Sequence, residues 1–241
     1  MAVKISTIEQ IPSNLLLRLD SHKNEFIKLE CYDQIWAIDA LYQIAIELNE
    51  VCLREGIFGY HYTRADKDEI THQGLLALSG EEHRKKFLER YGHRFSPEQR
   101  EWICERWKNC FTPANNKVRD HRVWFNFTLV ALAGLGAEYL LTYYGGEVIY
   151  APICDNLEIG NVLKTIGQPM IIECVLNPAE LTTFSEHPWG KVWLSSYHLK
   201  VNPNAHQFDA DAYKQDSIDP TQINSIQVLE PPFKYRKIDC D

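Results

Sequence analysis

Ile57-Phe58-Gly59-Tyr60-His61-Tyr62 marks the point at which the chain changes character. The run is short, apolar and aromatic, as a strand requires. Before it, residues 7–55 read as helical. The clearest part runs from Asp33 to Arg54, where Ile35, Ile38, Leu41, Ile44, Ala45, Leu48 and Leu53 recur at three- and four-residue steps. Gly56 then supplies a stop signal.

After the run, residues 66–74 read as a short helix, with Asp66 as cap, Glu69 placed three residues on as in a capping box, and Gly74 at the end. Residues 81–91 and 97–110 read as two charged helices, the second capped by Ser96 with Pro97 in its first turn. Residues 111–116 form a loop. Residues 123–129 are a second strand, 131–142 a helix, and Gly145-Gly146 a break. Further strands are expected over 147–153, 170–176, 192–201 and 226–229. Helices concentrate in the first half and strands in the second, which predicts an α+β architecture rather than alternating units on a parallel sheet.

The 241 residues are 45% hydrophobic and 12% aromatic, enough for one sizeable core. The seven cysteines are odd in number and form no C-x-x-C pair, which argues against a disulfide framework and favours reduced thiols. His72, His83, His93 and His121 show no pairing at helical spacing, so no metal site is expected. Met1-Ala2-Val3-Lys4-Ile5-Ser6 carries no apolar signal stretch, and no run approaches the roughly 20 apolar residues of a bilayer span. A cytoplasmic location without membrane contact is the expectation. The net charge is −8, yet residues 81–122 carry 11 basic and 7 acidic side chains. That positive balance is either a solvated helix pair, the commoner case, or a contact surface for a polyanion. Trp102 and Trp107 within it read as packing residues. A Rossmann or P-loop glycine pattern is missing.

Three stretches interrupt apolar runs with polar groups: Tyr60-His61-Tyr62-Thr63-Arg64, Trp124-Phe125-Asn126-Phe127-Thr128, and Tyr143-Tyr144-Gly145-Gly146-Glu147-Val148-Ile149-Tyr150. Their residue types suit cleavage of a nicotinamide–ribose bond. A carboxylate steadies the positive charge that develops on the ribose as nicotinamide leaves. An aromatic ring stacks on the nicotinamide, and His, Thr and Arg donate to ribose and phosphate oxygens.

The first stretch, followed by Ile70 and Gly74-Leu75, resembles the first strand and helix of ADP-ribosyltransferases of the histidine–tyrosine–glutamate type. The second is similar to their second motif. Glu147-Val148-Ile149-Tyr150-Ala151-Pro152 resembles their third, in which a catalytic Glu opens a strand, and Ile218-Asp219-Pro220 with Ile223 and Ile226-Gln227-Val228 resembles their closing strand. The resemblance covers about 55–241. It implies an N-terminal helical segment over 1–55 and a catalytic domain over 56–241 with a helical insertion at 81–122. The fold implied is two packed, mostly antiparallel sheets with NAD, as substrate, between them.

Carried over residue by residue, Glu147 is the catalytic carboxylate and His61 binds the adenosine-side ribose. The Tyr62 backbone holds the nicotinamide carboxamide, Thr63 and Arg64 contact ribose and phosphate, and Asn126 and Thr128 are the polar positions of the second motif. Tyr139, Tyr143 or Tyr144 stacks on nicotinamide. Gly145 stands where many relatives carry Glu or Gln, which removes the group that orients an arginine acceptor. The implied activity is transfer of ADP-ribose to a macromolecule, with nucleic acid slightly favoured over protein. The implied setting is a bacterial toxin or phage-defence effector, with an inhibitor protein as a possible partner. NAD hydrolysis in the same pocket and a noncatalytic binding module are the alternatives.

Overall fold

The computed structural model describes residues 2–112, 119–133 and 135–233. The helices are α1 (Ser13–Ser21), α2 (Lys23–Lys28), α3 (Tyr32–Trp36), α4 (Asp39–Glu55), α5 (Lys67–Gln73), α6 (Gly80–Tyr91), α7 (Pro97–Cys110), α8 (Leu135–Thr142), α9 (Glu147–Tyr150), α10 (Leu157–Lys164) and α11 (Pro188–Val201). The strands are β1 (Ile57–Ala65), β2 (Val123–Phe125), β3 (Gln168–Leu176), β4 (Thr182–Thr183), β5 (Ala212–Lys214) and β6 (Ile223–Val228). They form two three-stranded antiparallel sheets, in the orders β1-β3-β6 and β2-β5-β4. The chain is α+β, as its element pattern predicts. It divides into two compact units.

The first unit comprises Met1–Tyr60, Trp124–Val130 and Cys174–Tyr213. Its centre is α4 packed on α11. The three- and four-residue apolar spacing turns Leu41, Ile44, Ala45, Leu48 and Cys52 to one buried face of α4. Gly56, at φ +83°, ends that helix by donating its amide to the Cys52 carbonyl at 2.9 Å. The long helix expected over 33–54 breaks near Ala37, between α3 and α4.

The strand expected over 192–201 is instead the second half of α11. Pro188 opens this helix, and Val192 through His198 are all buried. A helix buried on every side shows neither a two- nor a 3.6-residue rhythm, so its β-branched and aromatic residues mimic a core strand. Gly190 permits the close approach to α4: a Cβ there would lie 1.8 Å from the Ala45 carbonyl oxygen.

The second unit comprises His61–Val123, Ala131–Glu173 and Lys214–Asp241. Asp66 caps α5, accepting the amides of Asp68 at 3.0 Å and Glu69 at 3.3 Å. Gly74 ends the helix at φ +75°, and Leu75 then pairs with Ile218 in an antiparallel bridge. Ser79 with Glu82 and Ser96 with Gln99 form capping boxes for α6 and α7. Phe87, Phe95, Ile103 and Trp107 from the 81–122 segment share one core with Ile149, Tyr150, Ile153, Ile159, Leu163 and Ile166. Trp107 is therefore a packing residue, and its indole N–H donates to the Ile149 carbonyl at 2.9 Å.

That core corrects a second expectation. Residues 147–150 are the helix α9, and Ala151 to Asp155 continue as turns. Ile149, Tyr150 and Ile153 all enter the core, at one- and three-residue steps that a helical turn satisfies and an alternating strand does not. The expected 111–116 loop falls largely on residues 113–118, outside the described residues, as does Gly134 in the expected 131–142 helix. The other expected strands appear, with 123–129 shortened to β2 and 226–229 shifted into β6.

Candidate active site

The second unit contains several of the expected residues. The C-terminal end of β1 carries His61, Tyr62, Thr63 and Arg64; His61 and Arg64 are half-buried, Tyr62 and Thr63 buried. The main-chain amide of Gly145 donates to the Arg64 carbonyl at 3.2 Å. Gly145 and Gly146 both adopt positive φ, at +84° and +73°, and so turn the chain into α9. Glu147 opens that helix.

The Glu147 carboxylate is exposed and faces Arg119, with Oε2 3.6 Å from Nε. Their side chains are 56% and 42% exposed, so water screens the pair and a ligand can displace either partner at small cost. Tyr150, three residues after Glu147, belongs to a group of three tyrosines. The rings of Tyr139, Tyr143 and Tyr150 lie 5.6–6.2 Å apart, with interplanar angles of 19–31°. Tyr139 is the most open, at 45% exposure, and Lys164 Nζ lies 5.4 Å from the Tyr143 ring centroid. Burial first, and the Glu147 carboxylate second, push the Tyr150 phenol up. Tyr144 leaves this group: its ring packs against Phe87 and Tyr91 in the core, at 5.8 and 5.0 Å.

Arg64, expected to contact ribose or phosphate, directs its guanidinium to main-chain carbonyls. Its Nε donates to the Leu141 carbonyl at 3.0 Å, and Nη1 donates to the carbonyls of Ile166 at 3.2 Å and Gly167 at 2.9 Å. Partial burial lowers the guanidinium from its usual range.

Asn126 and Thr128 belong to the first unit. Asn126 Nδ2 donates to Asp211 at 2.6 Å, and its main chain bridges Tyr60. Thr128 is buried and its hydroxyl donates to Asp209 at 2.7 Å. Asp209 also accepts the amides of Phe127, Thr128 and Ala210. Both polar side chains of the second motif are thus committed to carboxylates inside their own unit.

Arg119, Asp209 and Asp211 were not legible as site residues. Each lies far in sequence from its partner and carries no spacing signal. Among the described residues, no group of three His, Cys, Asp or Glu side chains could hold a metal, and no helix is long and apolar enough to cross a membrane.

The arrangement offers an accessible carboxylate beside flat aromatic faces, with a half-buried imidazole on the strand that adjoins its turn. Such a carboxylate can stabilise a cation formed next to a stacked ring. No protein-family model, curated protein or solved structure matches the chain.

Proposed function

We propose that the protein is an NAD-dependent ADP-ribosyltransferase with Glu147 as its catalytic carboxylate. The observation that carries the reading is the Gly145–Arg64 hydrogen bond. It joins the strand bearing His61 to the turn that leads into Glu147, two segments about eighty residues apart in the chain. An ADP-ribosyltransferase-like arrangement of packed sheets belongs to the same proposal.

In this reading His61 and the Tyr62 main chain hold NAD, and an open tyrosine ring, Tyr139 foremost, takes the nicotinamide. The bond from C1′ to the nicotinamide nitrogen breaks, and its electron pair leaves with neutral nicotinamide. Glu147 stabilises the cation at C1′, and a nucleophile of the macromolecular acceptor attacks it and loses its proton. Nucleic acid is slightly favoured over protein, because residues 81–122 carry a positive balance and their helices α6 and α7 share a core with the helix of Glu147. A cytoplasmic toxin or phage-defence role, restrained by an inhibitor protein, follows by analogy. The open exposure of Glu147 favours one second reading, hydrolysis of NAD with water as acceptor.

Labelled NAD incubated with separate pools of protein, RNA and DNA tests the proposal. Label entering one pool, and lost with Glu147→Gln, supports transfer and names the acceptor class. Free ADP-ribose without labelled macromolecule supports hydrolysis. Full activity of Glu147→Gln removes Glu147 from the chemistry.

A further inference from the structure

We propose that Arg64 is a positioning residue that holds the 143–147 segment, and with it the Glu147 carboxylate, against the end of β1. This rests on the reading of Glu147 given above. Glu147 has little of its own to fix it: its side chain is 56% exposed and its partner Arg119 is exposed as well. An exposed pair of this kind orients weakly. The backbone that delivers Glu147 is therefore what places the start of its side chain.

That backbone is held at both ends by one residue. The Arg64 carbonyl accepts the Gly145 amide, which anchors the turn two residues before Glu147. The Arg64 guanidinium takes the Leu141 carbonyl, which lies in the last turn of α8. The last four carbonyls of a helix have no partner within it, and a cation there also suits the helix dipole. The same fork reaches Ile166 and Gly167 in the turn that enters β3. Gly167 sits so close to β1 that a Cβ would lie 2.5 Å from the Ala65 carbonyl oxygen, so this second anchor is packed directly on the strand. The turn itself is closely packed, since a Cβ on Gly145 would lie 2.6 Å from Ile149 Cγ1. The guanidinium reaches the two sets of acceptors from two separate nitrogens, Nε and Nη1; the single nitrogen of an ammonium keeps the charge and loses that span.

Arg64→Lys and Arg64→Gln test this by two independent readouts, nicotinamide release from NAD and amide deuterium exchange. The expected result is a fall in kcat of about a hundredfold with KM for NAD little changed, as a displaced catalytic group produces. Exchange should accelerate across 139–150 while the α6 and α7 amides keep their wild-type protection. A raised KM with unchanged kcat would instead make Arg64 a phosphate contact and overturn the proposal. Wild-type exchange at 139–150 in both variants would overturn it as well. If the wild-type protein releases no nicotinamide, the catalytic reading falls, and the exchange data still decide whether Arg64 holds the segment. Should Arg64→Gln not fold, Arg64→Lys, which retains the charge and the aliphatic stem, provides both measurements.

Discussion

The Thr128 hydroxyl donates to Asp209 Oδ2 across 2.7 Å, while the Thr128 amide donates to the same oxygen at 3.0 Å. Thr128 is 1% exposed, so no water can replace the hydroxyl's bond. Thr128→Val is expected to lower the unfolding free energy by about 1–3 kcal/mol, the range for a hydrogen bond to a charged or buried group. Urea denaturation measures this. An effect on NAD affinity without a stability loss would return Thr128 to a ligand role.

Burial pushes the Asp209 carboxyl up to about 6, against the opposing effect of its four hydrogen-bond donors. A carboxyl raised from 3.8 in this way contributes stability that is complete below pH ~4 and lost as pH rises through about 6. The shift corresponds to about 3 kcal/mol. Asp209→Asn, which cannot ionise, should remove that component from the pH–stability curve. A carbon-13 titration of Asp209 that finishes below pH 4 would mean that the donors outweigh burial.

His198 runs in the opposite sense. Its Nε2 lies 2.9 Å from the Leu29 carbonyl and 3.2 Å from that of Phe26, so it carries the proton, and Nδ1 is buried with no hydrogen-bond partner among the described residues. Burial lowers the imidazole below its ordinary 6.5. As pH falls below about 6.5 the unfolded chain takes up a proton that the folded chain does not, and stability falls by up to about 1.4 kcal/mol per pH unit. His198→Gln should flatten this acid limb in urea titrations at pH 5–7. An unchanged slope would assign the limb to another group.

Tyr139 and Tyr144 should separate function from packing. Tyr139→Ala removes an open ring and should raise KM for NAD with little change in melting temperature. Tyr144→Ala opens a hole between Phe87 and Tyr91 and should cost about 2–4 kcal/mol. Equal effects of the two substitutions on NAD turnover per folded molecule would contradict the distinction.

Gly190→Ala places a methyl group 1.8 Å from the Ala45 carbonyl oxygen and 2.8 Å from the Asn49 amide nitrogen. Main chain cannot yield as a flexible side chain does, so α11 must lift from α4. The expected loss is about 3 kcal/mol or more in denaturant titrations. A wild-type midpoint would mean that the two helices stand further apart.

Capping and glycine punctuation made much of the fold readable. Ser96 with Pro97 marked the start of α7, Asp66 that of α5, and Gly56 and Gly74 the ends of α4 and α5. These signals act within one turn of chain, so no tertiary knowledge is needed to read them. The readings failed at residues 147–153, where a four-residue helix is too short to show a rhythm, and at 192–201, where burial on every side erased the rhythm that separates helix from strand. The site divided in the same way. Glu147, the tyrosines and the His61 strand were legible as residue types. The ion pair with Arg119 was not, nor was the commitment of Thr128 to Asp209, because each partner lies many residues away.

The amino-acid sequence by itself determined the α+β composition, the helix boundaries set by local caps, and the set of polar residues that interrupt apolar runs. Tertiary structure alone decided that Glu147 opens a helix, that Arg64 spends its guanidinium on carbonyls, and that Asn126 and Thr128 serve Asp211 and Asp209. The physical reason is range: a cap or a stop is satisfied by neighbours in the chain, whereas a buried donor is satisfied by whatever acceptor the packed core brings within 3 Å of it.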